Sequence, residues 1–134
     1  MGDVNVDLFF GGDYARLRTK ANVIASALSL PFRNEAFEVG VFNGLLHHIE
    51  DADKAWKEIL RVCSDIVIGN EPNFNLIFPR DRTEAYHTYT KRILSRILKK
   101  ASDERFDIHI ERVLRTHPLR TDFRIIALRR KLIR

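Results

Sequence analysis

One cysteine among 134 residues, Cys63, rules out an intrachain disulfide. No apolar run approaches the roughly 18 residues that a membrane-spanning helix needs. Met1-Gly2-Asp3-Val4-Asn5 offers neither the positive region nor the apolar stretch of a signal peptide, so the sequence predicts a soluble, cytoplasmic protein without membrane attachment. There is no internal repeat, low-complexity tract or linker. The interleaved aromatic and basic residues of a single-strand RNA platform are missing. No cysteine or carboxylate stands at zinc-like spacing from His47 and His48, so no metal is expected.

What is present is enough for one ordinary core. With 45% hydrophobic residues, 134 positions predict a single domain over residues 1–134. The net charge of +5 is concentrated toward the end, in Lys91, Arg92, Arg96, Lys99 and Lys100 and in the closing Arg129, Arg130, Lys131 and Arg134. Such a surface attracts phosphates, which keeps a nucleic-acid partner open, although a solvated helix face is the commoner reason for it.

The hydrophobic period changes along the chain in a regular way. Val4 to Leu8 alternates and is broken by Gly11-Gly12, predicting a short strand; Val23-Ile24-Ala25 predicts a second. Phe37 to Leu46 is nearly continuous in apolar residues, as in a parallel strand covered on both faces. Asp51 is placed to cap a helix whose stripe is Ala52, Ala55, Trp56, Ile59, Leu60 and Cys63, and that stripe must be buried against the sheet. Asp65 to Gly69 predicts the next strand, which leaves into a Glu71-Pro72-Asn73 loop. Thr83 to Ala101 predicts a second helix, and Ile108 to Leu114 and Phe123 to Leu128 predict two strands around Thr116-His117-Pro118. Strands alternating with helices, then two strands close together, make an α/β protein.

Leu30-Pro31-Phe32, Phe37-Glu38-Val39, Leu45-Leu46-His47-His48 and Glu58-Ile59-Leu60-Arg61-Val62 follow one another in an order and spacing that resemble the middle of a class I S-adenosylmethionine-dependent methyltransferase of the small-molecule type. The resemblance covers roughly residues 3 to 130. It implies a Rossmann-like methyltransferase sheet, truncated at its start, mostly parallel with an antiparallel carboxyl-terminal strand. It further implies S-adenosylmethionine as cofactor and methyl transfer to an acceptor that fold analogy does not choose.

Carried over residue by residue, the resemblance makes Asp7 the acid that accepts hydrogen bonds from the ribose, with Leu8 packing on adenine. Ser26 and Ala27 stand where the family has Asp-Ala, and a serine in place of the aspartate weakens the hydrogen bond to the adenine amino group by about 1 kcal/mol. Asn43 and Gly44 lie under the methionine part. His47, His48, Glu71 and Asn73 are the substrate-side candidates. A structural role comes first for both histidines, with His48 expected to be the packed one and the other able to face the pocket as a base or a substrate contact. Glu71 would orient a nucleophile or bind a cationic substrate, or else belong to a plain Pro-Asn turn. Methyl transfer relies mostly on positioning, so no catalytic residue is assigned.

The family's Gly-x-Gly-x-Gly turn has no counterpart in this sequence, and neither does the strand before it. Three explanations stay open: a start site placed too late, a natural remnant used for binding, or a partner chain that completes the site. In the complete fold that strand lies between the strands of Val4–Leu8 and Val39–Phe42. Unmet backbone groups there would cost about 1 to 3 kcal/mol each if buried. The expectation is that the two strands pair directly or that a homodimer closes the gap. The alternative function is a non-catalytic binding or scaffold protein on the same fold.

Overall fold

The computed structural model describes residues 4–7, 21–72, 91–101, 104–114 and 121–130. Leu8, Gly11-Gly12, Asn73, the first part of the expected second helix, Thr116 to Pro118, Lys131 and Arg134 lie outside them.

β1 (Val4–Asp7) pairs in parallel with β2 (Ala21–Ile24), Val4 opposite Ala21 and Asp7 opposite Ile24. A second sheet has the order β3-β4-β6-β5, from β3 (Phe37–Asn43), β4 (Cys63–Pro72), β5 (Phe106–Leu114) and β6 (Thr121–Arg129). β3 runs parallel to β4, whereas β6 lies between β4 and β5 and is antiparallel to both. The result is an α/β fold with parallel and antiparallel strands in one sheet, its antiparallel part at the carboxyl end. β4 is longer than the apolar run Asp65–Gly69 implied. Glu71 and Pro72, expected in a loop, pair in register with Phe123 and Asp122 of β6.

α1 (Ala52–Val62) begins where the sequence placed it, with the Asp51 carboxylate accepting the Lys54 backbone N–H at 3.1 Å. Such a cap contributes about 1 kcal/mol. Ala52, Ala55, Trp56, Ile59 and Leu60 are buried, as their three-four spacing requires. Cys63, the expected last member of the stripe, is buried but already extended, and opens β4. Its burial pushes the thiol pKa up to about 11. α2 (Lys91–Ala101) packs Leu94 and Leu98 into the same core, which α1 and α2 share with Phe42 and Val67 and with Phe123 and Ile125 of β6. No helix among the described residues is long and apolar enough to cross a membrane.

Direct pairing of β1 with β3 does not occur: among the described residues β1 pairs with β2 and β3 with β4. Val39 and Val41 on β3 are 53% and 74% exposed, and Ile24 of β2 is 67% exposed. Backbone groups along an exposed edge hydrogen-bond to water and incur no desolvation penalty, so direct pairing within the chain is not required.

Candidate functional site

The turn that leaves β3 carries most of the site. Asn43 ends the strand and is exposed. Gly44 follows with φ +58°, in the left-handed region, and its N–H donates to the Asn70 carbonyl at 2.8 Å, extending the β3–β4 ladder by one bond. A Cβ at position 44 would stand 3.3 Å from Cε1 of His47, so glycine is favoured there both by conformation and by space. Leu46–His48 then forms a single 3₁₀ turn, closed by the His48 N–H to the Leu45 carbonyl at 3.1 Å.

Beneath this turn lies Glu71, whose side chain is 0% exposed. A buried carboxylate costs several kcal/mol unless its oxygens are met by donors. Here Oε1 accepts the backbone N–H of Leu45 at 2.8 Å and of Leu46 at 2.7 Å. Oε2 accepts the backbone N–H of His47 at 3.3 Å and lies 2.8 Å from the same residue's Nδ1. One acidic side chain on β4 thus holds three successive residues of the turn after β3.

The histidines reverse the expectation. His47 is the packed one, 5% exposed, and His48 is exposed. On a strand their rings would diverge; in the 3₁₀ turn they meet at a tilt of 41°, with centroids 3.9 Å apart.

Ser26 and Ala27 follow β2. The Ser26 carbonyl accepts the Ser29 N–H at 3.0 Å, and its hydroxyl oxygen accepts the Leu28 N–H at 3.2 Å, so this serine builds a turn of its own chain. Ala27 packs against the core. Asp7 is the last residue of β1.

The sequence contained one further element whose role could not be read from spacing. Glu58 and Arg61 of α1 clamp the segment before β3: Glu58 Oε2 accepts the Leu30 N–H at 2.8 Å, and Arg61 donates to the carbonyls of Leu30 and Phe32 and to the Asn34 side chain. Glu58 and Arg61 also pair with each other, at 2.8 Å. The Glu-x-x-Arg spacing was the signal; which loop it held was decided by packing.

Residues 4–65 match the model of a methyltransferase-domain family. No curated protein matches the chain in sequence. Among solved structures, the chain is similar to 1,6-didemethyltoxoflavin-N1-methyltransferase of Burkholderia thailandensis, with bound 1,6-didemethyltoxoflavin and S-adenosylhomocysteine. That likeness has 19% identity, covers 96% of this chain and 61% of that one, and has a TM-score of 0.68. A possible histamine N-methyltransferase of Thermotoga maritima is 16% identical over 98% of this chain and 83% of its own, with a TM-score of 0.60. The cyclase SpnF is also 16% identical, over 84% of this chain, with a TM-score of 0.60; the chain spans 58% of its length. The methyltransferase-domain match thus spans residues 4–65, a little under half of the chain, and the fold is the one these solved structures share.

Proposed function

We propose that the chain binds S-adenosylmethionine and transfers its methyl group to a small-molecule acceptor. The observation that carries this reading is the turn Asn43–His48, which follows a parallel strand and is held from below by Glu71. Ligands of open α/β sheets bind at the carboxyl ends of parallel strands. The residues fit the cofactor there: Asn43 is exposed, and Gly44 has no Cβ to keep a ligand away from the backbone. Asp7 would accept the ribose hydroxyls, with Leu8 beside the adenine; Ser26 and Ala27 would border the adenine; and Asn43 and Gly44 would lie under the methionine part. On the acceptor side His48 is exposed and would meet the acceptor, whereas Glu71 is buried with both oxygens engaged by the turn and would act only through it.

The cofactor supplies a methyl group on a positively charged sulfur. The chain's own contribution is orientation: a fixed turn presents Asn43 and Gly44, and the Glu71 bonds keep that turn from adjusting when a ligand leaves. Titration calorimetry with S-adenosylhomocysteine and S-adenosylmethionine tests the reading. Saturable heat with both is expected, and no heat at millimolar ligand removes the cofactor from the account.

One fold hosts many functions, so the second reading is a non-catalytic binding protein on this fold. In its nucleic-acid form, the exposed Arg96, Lys99 and Lys100 of α2 would contact phosphates. Affinity for a short duplex that falls steeply between about 50 and 200 mM salt supports that form.

A further inference from the structure

We infer that Glu71 is a positioning residue that fixes His47 as its Nδ1–H tautomer while pinning the turn after β3. This deepens the methyl-transfer reading above and rests on it for the site's purpose. An ionised carboxylate accepts hydrogen bonds and donates none, so at 2.8 Å from Oε2 the Nδ1 atom of His47 carries the proton. Nε2 then presents a lone pair, and whatever group meets it, from the protein or from a methyl acceptor, is a hydrogen-bond donor.

The geometry joins two functions in one side chain. Oε1 serves only the backbone, taking the N–H groups of Leu45 and Leu46. Oε2 serves His47, taking its backbone N–H and facing its ring. Both oxygens are therefore used, and the ring has its orientation set by the same group that fixes its backbone. Gly44 leaves room for that orientation, because a Cβ there would press on Cε1 of the ring.

Because Oε1 holds two of the three backbone N–H groups, the pinning of Leu45 and Leu46 can be separated from the ring contact. In Glu71→Gln the amide oxygen replaces Oε1 and keeps the Leu45 and Leu46 bonds, while the amide NH₂ takes the place of Oε2, donates to Nδ1 and gives up the bond from the His47 backbone N–H. The expected result is that His47 switches to the Nε2–H tautomer with the turn largely retained. In Glu71→Ala both functions are lost.

The test uses the full chain with ¹⁵N-labelled histidine, read over a pH series from about 7 to 9.5 so that the neutral form is reached, and His47→Gln assigns the signals. Long-range proton–nitrogen correlation should show Nδ1–H for His47 in the native protein and Nε2–H in Glu71→Gln. Amide exchange at Leu45, Leu46 and His47 should accelerate by about tenfold or more in Glu71→Ala and by about threefold or less at Leu45 and Leu46 in Glu71→Gln. An Nε2–H native tautomer, or a tautomer unchanged in Glu71→Gln, overturns the inference. So does exchange in Glu71→Ala within about twofold of native. If Glu71→Ala does not fold, Glu71→Gln decides by its tautomer. These readouts need no cofactor, so a native chain that fails to bind S-adenosylhomocysteine defeats the methyl-transfer reading and leaves the tautomer result standing.

Discussion

Two glycines of β3 and β4 show how closely the sheet is packed on its helical side. Gly69 stands opposite Phe42 in the parallel register, and a Cβ there would lie 2.1 Å from Cζ of the Phe42 ring. The ring lies across the glycine and meets Trp56 edge-on, with centroids 6.2 Å apart. Gly40 faces Cys63 in the same manner, at 2.5 Å from Sγ. Gly69→Ala is expected to destabilise the chain by about 1 to 3 kcal/mol in urea unfolding, because the ring must leave a packed site. Adding Phe42→Leu should recover part of that loss, and a double variant no more stable than the sum of its parts would show that the ring is not what the glycine accommodates.

At the scale of elements, the clamp of α1 on the segment 30–34 joins helix and loop through charge-assisted bonds. The bond from Arg61, opposed by partial burial and supported by the Leu30 N–H, holds the Glu58 carboxyl below its ordinary value of 4.5. A carboxylate whose pKa is depressed on folding contributes stability that is present above its unfolded value and is lost as the pH falls through its folded value. The clamp should therefore weaken on acidification below about pH 4.5. Glu58→Gln is expected to cost about 1 to 2 kcal/mol at neutral pH and much less in acid. Equal losses at pH 7 and pH 3 would show that the charge has no part in it. The motif Glu-x-x-Arg was legible in the sequence, and so was the capped helix that bears it. Its partners, about thirty residues earlier in the chain, were not, because spacing along a helix says which side chains share a face and not what lies opposite.

Across the whole molecule, the four-stranded sheet has unlike faces. α1 and α2 cover one through Phe42, Val67, Phe123 and Ile125, whereas Val39, Val41 and Leu128 are exposed on the other. Val39 and Val41 also lie on a strand that pairs on one side alone among the described residues. An apolar strand with an open edge invites association with other chains. Replacing both valines with threonine should slow aggregation in a light-scattering assay while changing stability by about 0.5 kcal/mol or less at each site. Unchanged aggregation would show that this edge is not its origin.

The sequence by itself determined the element types, the Asp51 cap and the buried stripe of α1, since each rests on local period and on hydrogen bonds within a few residues. The spacing between Leu30-Pro31-Phe32 and Arg61-Val62 carries several constraints at once, and it falls within the residues 4–65 that match a methyltransferase-domain model. Tertiary structure decided what the site candidates touch. Glu71 belongs to a strand and is buried, His47 rather than His48 is packed, and β1 and β3 do not pair among the described residues. A carboxylate becomes tolerable in a core only when distant backbone donors converge on it. Leu45, Leu46 and His47 lie 24 to 26 residues before Glu71, and the parallel pairing of β3 with β4 brings them to it.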